Sequence, residues 1–458
     1  MILLCSTMGA LVLTSCAGGG ANASHEPGVV PSSAQQSTMS GTAAAGRVPG
    51  DVRRTQSTSA PSCSGVGGGS FVGGADGNIA ANSDSFVGGG YENQACDEYS
   101  AIAGGSTNII SHTNSVLRLA GFIGAGEFNV VTGGGLAAVI GGGVDNTITA
   151  PESGIVAGGY DNINDQFSLI GAGLYDTIAT GAQYSAIAAG RSITVSGEYA
   201  FDGAGISNTV SGEGAYIAAG GYNTASGEGA VVDGGFNSTA SGTFATIPGG
   251  YVNSAAGTYS FAAGARASAA QTGTFVWSDG SDGDTILTSS RAYQFLARAS
   301  GGFTLYTNAA STVGAQLAAG SGTWASLSDR NAKSNIVPLD EAAVLEKVAG
   351  MPISRWSYKT EHGVRHAGPM AQDFYAAFGL GEDDKHITAI DEDGVALAAI
   401  KALHARVGAL DAKAAAQAAE IARLRARLAA AASQSAGISA MQRQLQRLST
   451  EVAALRER

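Results

Sequence analysis

The chain has 458 residues, 68 of them glycine, and a formal net charge of −12. Glycine at about twice ordinary usage with no three-residue period excludes collagen, and an apolar content of 44% excludes a disordered chain. The length predicts two or three domains. Sixteen acids against three arginines and no lysine between Ser70 and Thr274 argue against nucleic acid as a partner, because that needs a basic footprint.

Residues 1–16, MILLCSTMGALVLTSC, form a short apolar run that reads as a signal segment rather than a membrane span. Its ending, Leu13-Thr14-Ser15-Cys16, resembles a bacterial lipoprotein lipobox. That resemblance implies lipidation of Cys16, export and a lipid anchor at the outer membrane. The sequence departs from the pattern in having no Lys or Arg ahead of the run; ordinary secretion or an internal start is the alternative. Residues 17–69, rich in Gly, Ser, Ala, Thr and Gln, predict a flexible tether. Cys63 and Cys96 follow, and an exported protein can pair them; their spacing leaves the pairing open.

A repeat begins at Ser70. SFVGGADGN opens there, SFVGGGYEN at Ser85 and SAIAGGSTN at Ser100, a period of fifteen. Further units open near Gly121, Ala138, Gly154, Ser168, Ser185, Ala200, Ala215, Ala230, Ala245 and Ser260. Each unit predicts one coil of two short strands, and a lone coil cannot bury its apolar row, so many must stack. Phe71, Val72, Ile102, Ile140, Ile187, Ile217, Val232 and Ile247 are expected in the strand that faces the stack. Glycine suits the positive-φ corners. Asn78, Asn93, Asn108, Asn129, Asn146, Asn162, Asn208, Asn223 and Asn253 stand at the ninth place, where Asn can bond its own backbone or the Asn of the next coil. A fifteen-residue coil looks too thin for a filled interior, so three chains are expected to supply the core. The units resemble the left-handed β-roll heads of trimeric autotransporter adhesins. The resemblance implies a trimeric left-handed parallel β-roll over 70–274. It leaves the ligand open, with a host-surface glycan or protein as candidates.

Residues 275–327 break the repeat and predict a β neck, with 293–299 and 302–307 flanking Ser300-Gly301 as a hairpin. Residues 328–394 predict a small α+β domain. Asp340 caps a helix that stops at Gly350, Ile353–Tyr358 is a strand, and Gly368–Phe374 turns into a short helix. His386–Ile390 is a further strand, followed by a turn at Asp391–Gly394. Residues 395–458 predict a coiled coil with Ile400, Leu403, Val407, Leu410, Ile421, Leu424 and Leu428 on a and d. The phase slips in Ala431–Gly437, as a stutter or a hinge, and resumes with Ile438, Met441, Leu445, Leu448, Val452 and Leu455. The ten Lys/Arg against four Asp/Glu in this part read as the solvated face of a helix.

Three blocks carry the chemistry: SDRNAKSNI from Ser328, RHAGPMAQDF from Arg365, and ITAIDEDGVALAAIKAL from Ile387. In this order they resemble the C-terminal intramolecular chaperone of phage tail spikes and fibres, the endosialidase-type self-cleaving peptidase family. The resemblance implies a homotrimer whose C-terminal module templates the fibre ahead of it. It also implies a cut between Leu327 and Ser328, with Ser328 as nucleophile and Lys333 as its partner, acting only on the protein's own chain. Asp329, Gly368 and Gln372 are the possible supporting residues. A serine hydroxyl needs a base. A free lysine, with a pKa of ~10.4, becomes one only when desolvated, so burial between assembled chains would gate the reaction. Asp329 must then face away from Lys333 or bond backbone. On SDxxxK alone a surface loop with a salt bridge is the simpler reading. A trimer that never cuts, and a glycan-binding spike, are the alternative functions. No cofactor is implied, and the six histidines show no metal-ligand spacing, His366 alone lying near the Gly368 block.

Overall fold

The computed structural model describes residues 63–74, 77–111, 120–132 and 137–457, which form two units divided after Arg298. The signal segment with Cys16 and the tether up to residue 62 lie outside the described residues.

The first unit is a parallel β-solenoid of two sheets, one of fifteen strands and one of fourteen, each coil giving one strand to each sheet. The register matches the repeat, with Val87 beside Ile102, Ile102 beside Ile123 and Ile217 beside Val232. Of each strand pair the first residue points out and the second in, because side chains alternate across a strand. Phe71 therefore faces solvent, 54% exposed, while Ile102, Ile140, Ile187, Ile217 and Ile247 are fully buried. The second sheet closes the interior with Ile110, Ile148, Ile163, Ile178 and Val210.

That closure corrects the expectation that three chains are needed to fill the core. Two rows of Ile, Val and Ala meeting across one narrow coil leave a single chain with a dry interior of its own.

The corner asparagines stack as expected. Asn93 N–H donates to Asn78 Oδ1 at 3.0 Å, Asn108 N–H to Asn93 Oδ1 at 3.1 Å and Asn129 N–H to Asn108 Oδ1 at 3.1 Å. Asn162 is not a member of this ladder. Asp161 holds the place, its N–H donating to Asn146 Oδ1 at 3.1 Å, and Asn162 is the outward residue of the following strand. The glycines beside the ladder stand where backbones touch. A Cβ on Gly90, at φ 99°, would sit 2.0 Å from the Gly105 carbonyl oxygen.

The parallel ladder does not stop at Thr274. Phe275–Asp279 and Phe295–Arg298 extend the larger sheet, and Leu287–Thr288 the smaller. The stacked rings of Phe261, Phe275 and Phe295, with centroids 4.7 and 4.6 Å apart, continue the outward aromatic row. Arg298 reaches Asp282 at 2.6 Å and Ser278 Oγ at 2.9 Å. The expected hairpin at Ser300-Gly301 is absent for this reason. Phe295–Arg298 pairs backwards into the solenoid, and Gly302–Tyr306 pairs antiparallel with Gly314–Ala318. Asn308, whose side-chain Oδ1 accepts the N–H groups of Thr312 and Val313, makes the turn.

The second unit begins with that three-stranded antiparallel sheet, completed by Trp324–Ser326. Helix α1, Glu341–Gly350, is capped by the Asp340 carboxylate on Ala343 N–H. Strands Ser354–Trp356 and His366–Gly368 pair, and α2, Ala371–Phe378, ends at Gly379 in the left-handed region. Helix α3 runs unbroken from Ala389 to Arg456, through residues 431–437. The expected strand at His386–Ile390 and turn at Asp391–Gly394 are instead the approach to this helix, ending at its N-cap Thr388, and its first turns from Ala389. Thr388 caps Asp391 N–H and donates to Asp391 Oδ2 at 2.7 Å, and Asp391 and Glu392 lie in the first turn, where the helix dipole favours acids. Val344, Phe374, Val395, Ala398 and Ala399 form the core of this unit. The heptad residues of α3 lie on its other face, Leu403 being 51% exposed and Leu445 61%.

Candidate active site

Ser328 and Lys333 are placed by a short stretch of backbone. Strand Trp324–Ser326 is the edge of its sheet, and Leu327 N–H donates to Gly314 O at 3.3 Å, extending the edge by one residue. The chain then makes a single 3₁₀ turn, Arg330–Ala332. Asp329 is its N-cap, accepting from Asn331 N–H at 2.9 Å and from the Asn331 amide at 3.2 Å. Asp, Asn and small residues favour such a turn because their side chains bond the backbone locally. The turn carries the chain back over Ser328, and Lys333 Nζ donates to Ser328 Oγ at 2.6 Å.

Asp329 is thus held by Asn331 and forms no ion pair with Lys333 among the described residues. The serine and lysine are joined by one hydrogen bond, and Leu327, Ser328 and Lys333 are all exposed. Gly368 closes the strand His366–Gly368 beside Ser354, and Gln372 lies in the first turn of α2. No hydrogen bond joins either to the dyad among the described residues. His366 Nε2 pairs with Glu361 at 2.9 Å and its ring stacks on Trp356 at 4.6 Å, which accounts for it as part of a packed cluster. No three His, Cys, Asp or Glu side chains gather as a metal site among the described residues.

A serine and a lysine in direct contact, at the exit of an edge strand, sit at the head of a recognisable segment. Residues 328–379 match the family model of the chaperone of endosialidase. The matched chaperone segment opens on Ser328 and closes on Gly379, the left-handed stop of α2. It spans the dyad, the 3₁₀ turn, α1, the paired strands and α2, and stops short of α3, which supplies Val395, Ala398 and Ala399 to the same core. No curated protein matches the chain.

Sequence reasoning missed a second group of residues. Asp161, Asp176 and Asp202 are fully buried in the solenoid, with Asp161 Oδ2, Asp176 Oδ2 and both oxygens of Asp202 lacking hydrogen-bond partners. The signal was available in the repeat: an acid at the ladder place in two consecutive coils, and an acid where every neighbouring coil has Ile or Val.

Proposed function

We propose that the chain is one subunit of a trimeric, tail-fibre-like surface protein. Its chaperone segment drives assembly and then cuts the chain between Leu327 and Ser328. The 2.6 Å contact of Lys333 with Ser328, at the first residue of the matched segment, carries the reading. With the lysine neutral, that contact reverses and the serine hydroxyl donates. Ser328 Oγ attacks the Leu327 carbonyl carbon, the C–N bond breaks and an ester forms. Water then hydrolyses the ester to a Leu327 carboxylate, leaving a free amine on Ser328. Because the pair is exposed in the single chain, desolvation has to come from partner chains, and that ties cutting to assembly.

Two surfaces support the trimer. The heptad face of α3 is bare from Leu397 to Leu455, and such a stripe is stable only against partner helices. On the solenoid the outer face of the larger sheet carries Phe86, Phe122, Val139, Leu169 and Tyr216, while the smaller sheet turns out Thr147, Thr177, Thr209 and Thr224. From residue 147 onward one apolar and one polar face suit copies packed side by side, while the earlier coils turn out Ile79, Ile109 and Val130 on the smaller sheet. The Cys63–Cys96 disulfide supports an oxidising, exported location. Under this reading the protein sits at a cell surface or on a virion tail, the head contacts a host-surface glycan or protein, and Cys16 carries the lipid.

Purified protein is sized by sedimentation, then run on a denaturing gel, with N-terminal sequencing of any fragment. The reading expects a fragment beginning at Ser328, absent in Ser328→Ala. A single full-length band from proven trimers would refute the cut. It would leave the second reading, an uncut trimeric adhesin, which the exposure of the dyad in the single chain favours.

A further inference from the structure

We propose that the coils from 154 to 210 are a proton-binding section of the head, held tight when Asp161, Asp176 and Asp202 are neutral and loosened when they are charged. The argument starts from what Asn does in the other coils. Asn146 Oδ1 accepts the backbone N–H of the next coil, while its amide donates to Gly142 O at 3.3 Å and across to Gly158 O at 3.1 Å. Asn223 repeats the pattern toward Ala219 and Gly235, at 3.3 and 3.0 Å. The hydrogen bond from the side-chain amide to the carbonyl four residues back lies at the corner of the coil.

Asp161 and Asp176 keep half of that role. Asp161 Oδ1 accepts Asp176 N–H and Asp176 Oδ1 accepts Ile193 N–H, both at 2.9 Å. Their Oδ2 atoms stand where the amide donor would be, and neither has a partner. The backbone of these coils also differs from that of the Asn coils. Strands Gly154–Gly159, Leu169–Leu174 and Ala186–Arg191, which lead to Asp161, Asp176 and Ile193, run straight for six residues, whereas strands leading to Asn146 and Asn223 have two. Asp202 sits in the apolar row itself, between Ile187 and Ile217. Asn208 and the Ala204 backbone lie near enough to favour its charged form, but neither makes a well-formed hydrogen bond to it.

The same interior holds Ile155, Ile170, Ile187, Ile163, Ile178, Val195 and Val210, all apolar, and the polar side chains beside the acids are the uncharged Asn146, whose Oδ1 accepts Asp161 N–H, and Asn208 near Asp202. The charged groups that act on the three acids are one another: Asp176 on Asp161, and Asp176 on Asp202. Burial is the largest influence on each, pushing Asp161 and Asp176 up to about 6 and Asp202 up to about 7. A neutral carboxyl has an O–H, so it can complete the Asn role by donating from Oδ2 to the next coil's carbonyl. The folded-state values lie above the unfolded carboxylate value, so the stabilisation is full below about 4 and is lost as pH rises through 6 and 7. The head is expected to be firmest in acid.

Hydrogen exchange followed by mass spectrometry on the intact protein tests this, with coils 215–247 as the internal reference for the chemical pH effect. From pH 5 to pH 8, protection of 154–210 relative to 215–247 should fall about tenfold for each carboxyl that titrates near 6. The triple variant D161N/D176N/D202N, and D161N alone should the triple variant fail to fold, should lose that dependence in the coils altered. Unchanged relative protection in the wild type overturns the proposal. So does a variant that keeps the full pH response, or protection at pH 8 restored by calcium or magnesium, which would make a cation the occupant.

Discussion

Replacing Asn223 by alanine isolates the corner ladder, because this position lies in a regular stretch of the solenoid with its neighbours fully described. The change removes the acceptor of Ser238 N–H, bonded at 3.0 Å, and the donor to Ala219 O and Gly235 O. Gly235 O keeps Gly221 N–H as a partner at 3.1 Å, so the buried Ser238 N–H is the costliest orphan. One unsatisfied buried donor costs ~1–3 kcal/mol and each of the two lost ordinary bonds ~0.5–1.5 kcal/mol, giving ~2–6 kcal/mol in all. A solenoid opens locally rather than all at once, so the readout is hydrogen exchange in 215–247. The expected loss of protection is about 30- to 25,000-fold. Asn223→Asp keeps the acceptor and exchanges the donor for an oxygen, copying Asp161. It should be close to wild type at pH 5 and looser at pH 8. An alanine variant with protection within threefold of wild type, or an aspartate variant indifferent to pH, would show that the ladder is ornament and the apolar rows alone hold the coils.

Other outcomes follow from the same geometry. Lys333→Met should slow release of the 328–458 fragment by about 10²–10⁴, the usual worth of a positioned base, read from gel time courses on trimeric protein. Leu403→Glu, on the bare face of α3, should convert trimer to monomer in sedimentation, since each buried Leu contributes about 1.5–3 kcal/mol and the proposed trimer would bring three together at one layer. Phe374→Ala should instead unfold the chaperone core at a cost of ~3–5 kcal/mol, without any need for a partner to be present. Reduction of Cys63–Cys96, which closes a separation of 33 residues, should loosen the first coils by about 3–4 kcal/mol, visible as faster exchange in 70–95 and little change in 215–247.

Much of the candidate site was legible because it is local. Ser328 and Lys333 are five residues apart, and one capped 3₁₀ turn suffices to bring them together. Asp329 was expected to turn away from Lys333, and it does so by capping. The start of α3 was misread because Asp391-Glu392-Asp393-Gly394 has turn composition, while the deciding bond, Thr388 to Asp391, belongs to a helix cap that also uses acids in its first turn. The hairpin at Ser300-Gly301 failed for a tertiary reason: Phe295 finds Phe275 beneath it, and that stacking captures the strand for the solenoid.

The sequence by itself determined the coil period, the corner asparagines, the serine–lysine turn and the heptad face, all of which rest on contacts between residues close in the chain or one repeat apart. Only the tertiary structure decided that a single chain closes its own core, that Asp161 rather than Asn162 joins the ladder, and that Asp161, Asp176 and Asp202 share one dry interior. Which face a residue turns inward depends on the strand that lies across the coil. That strand is fixed by packing, and the residue's own neighbours in sequence do not specify it.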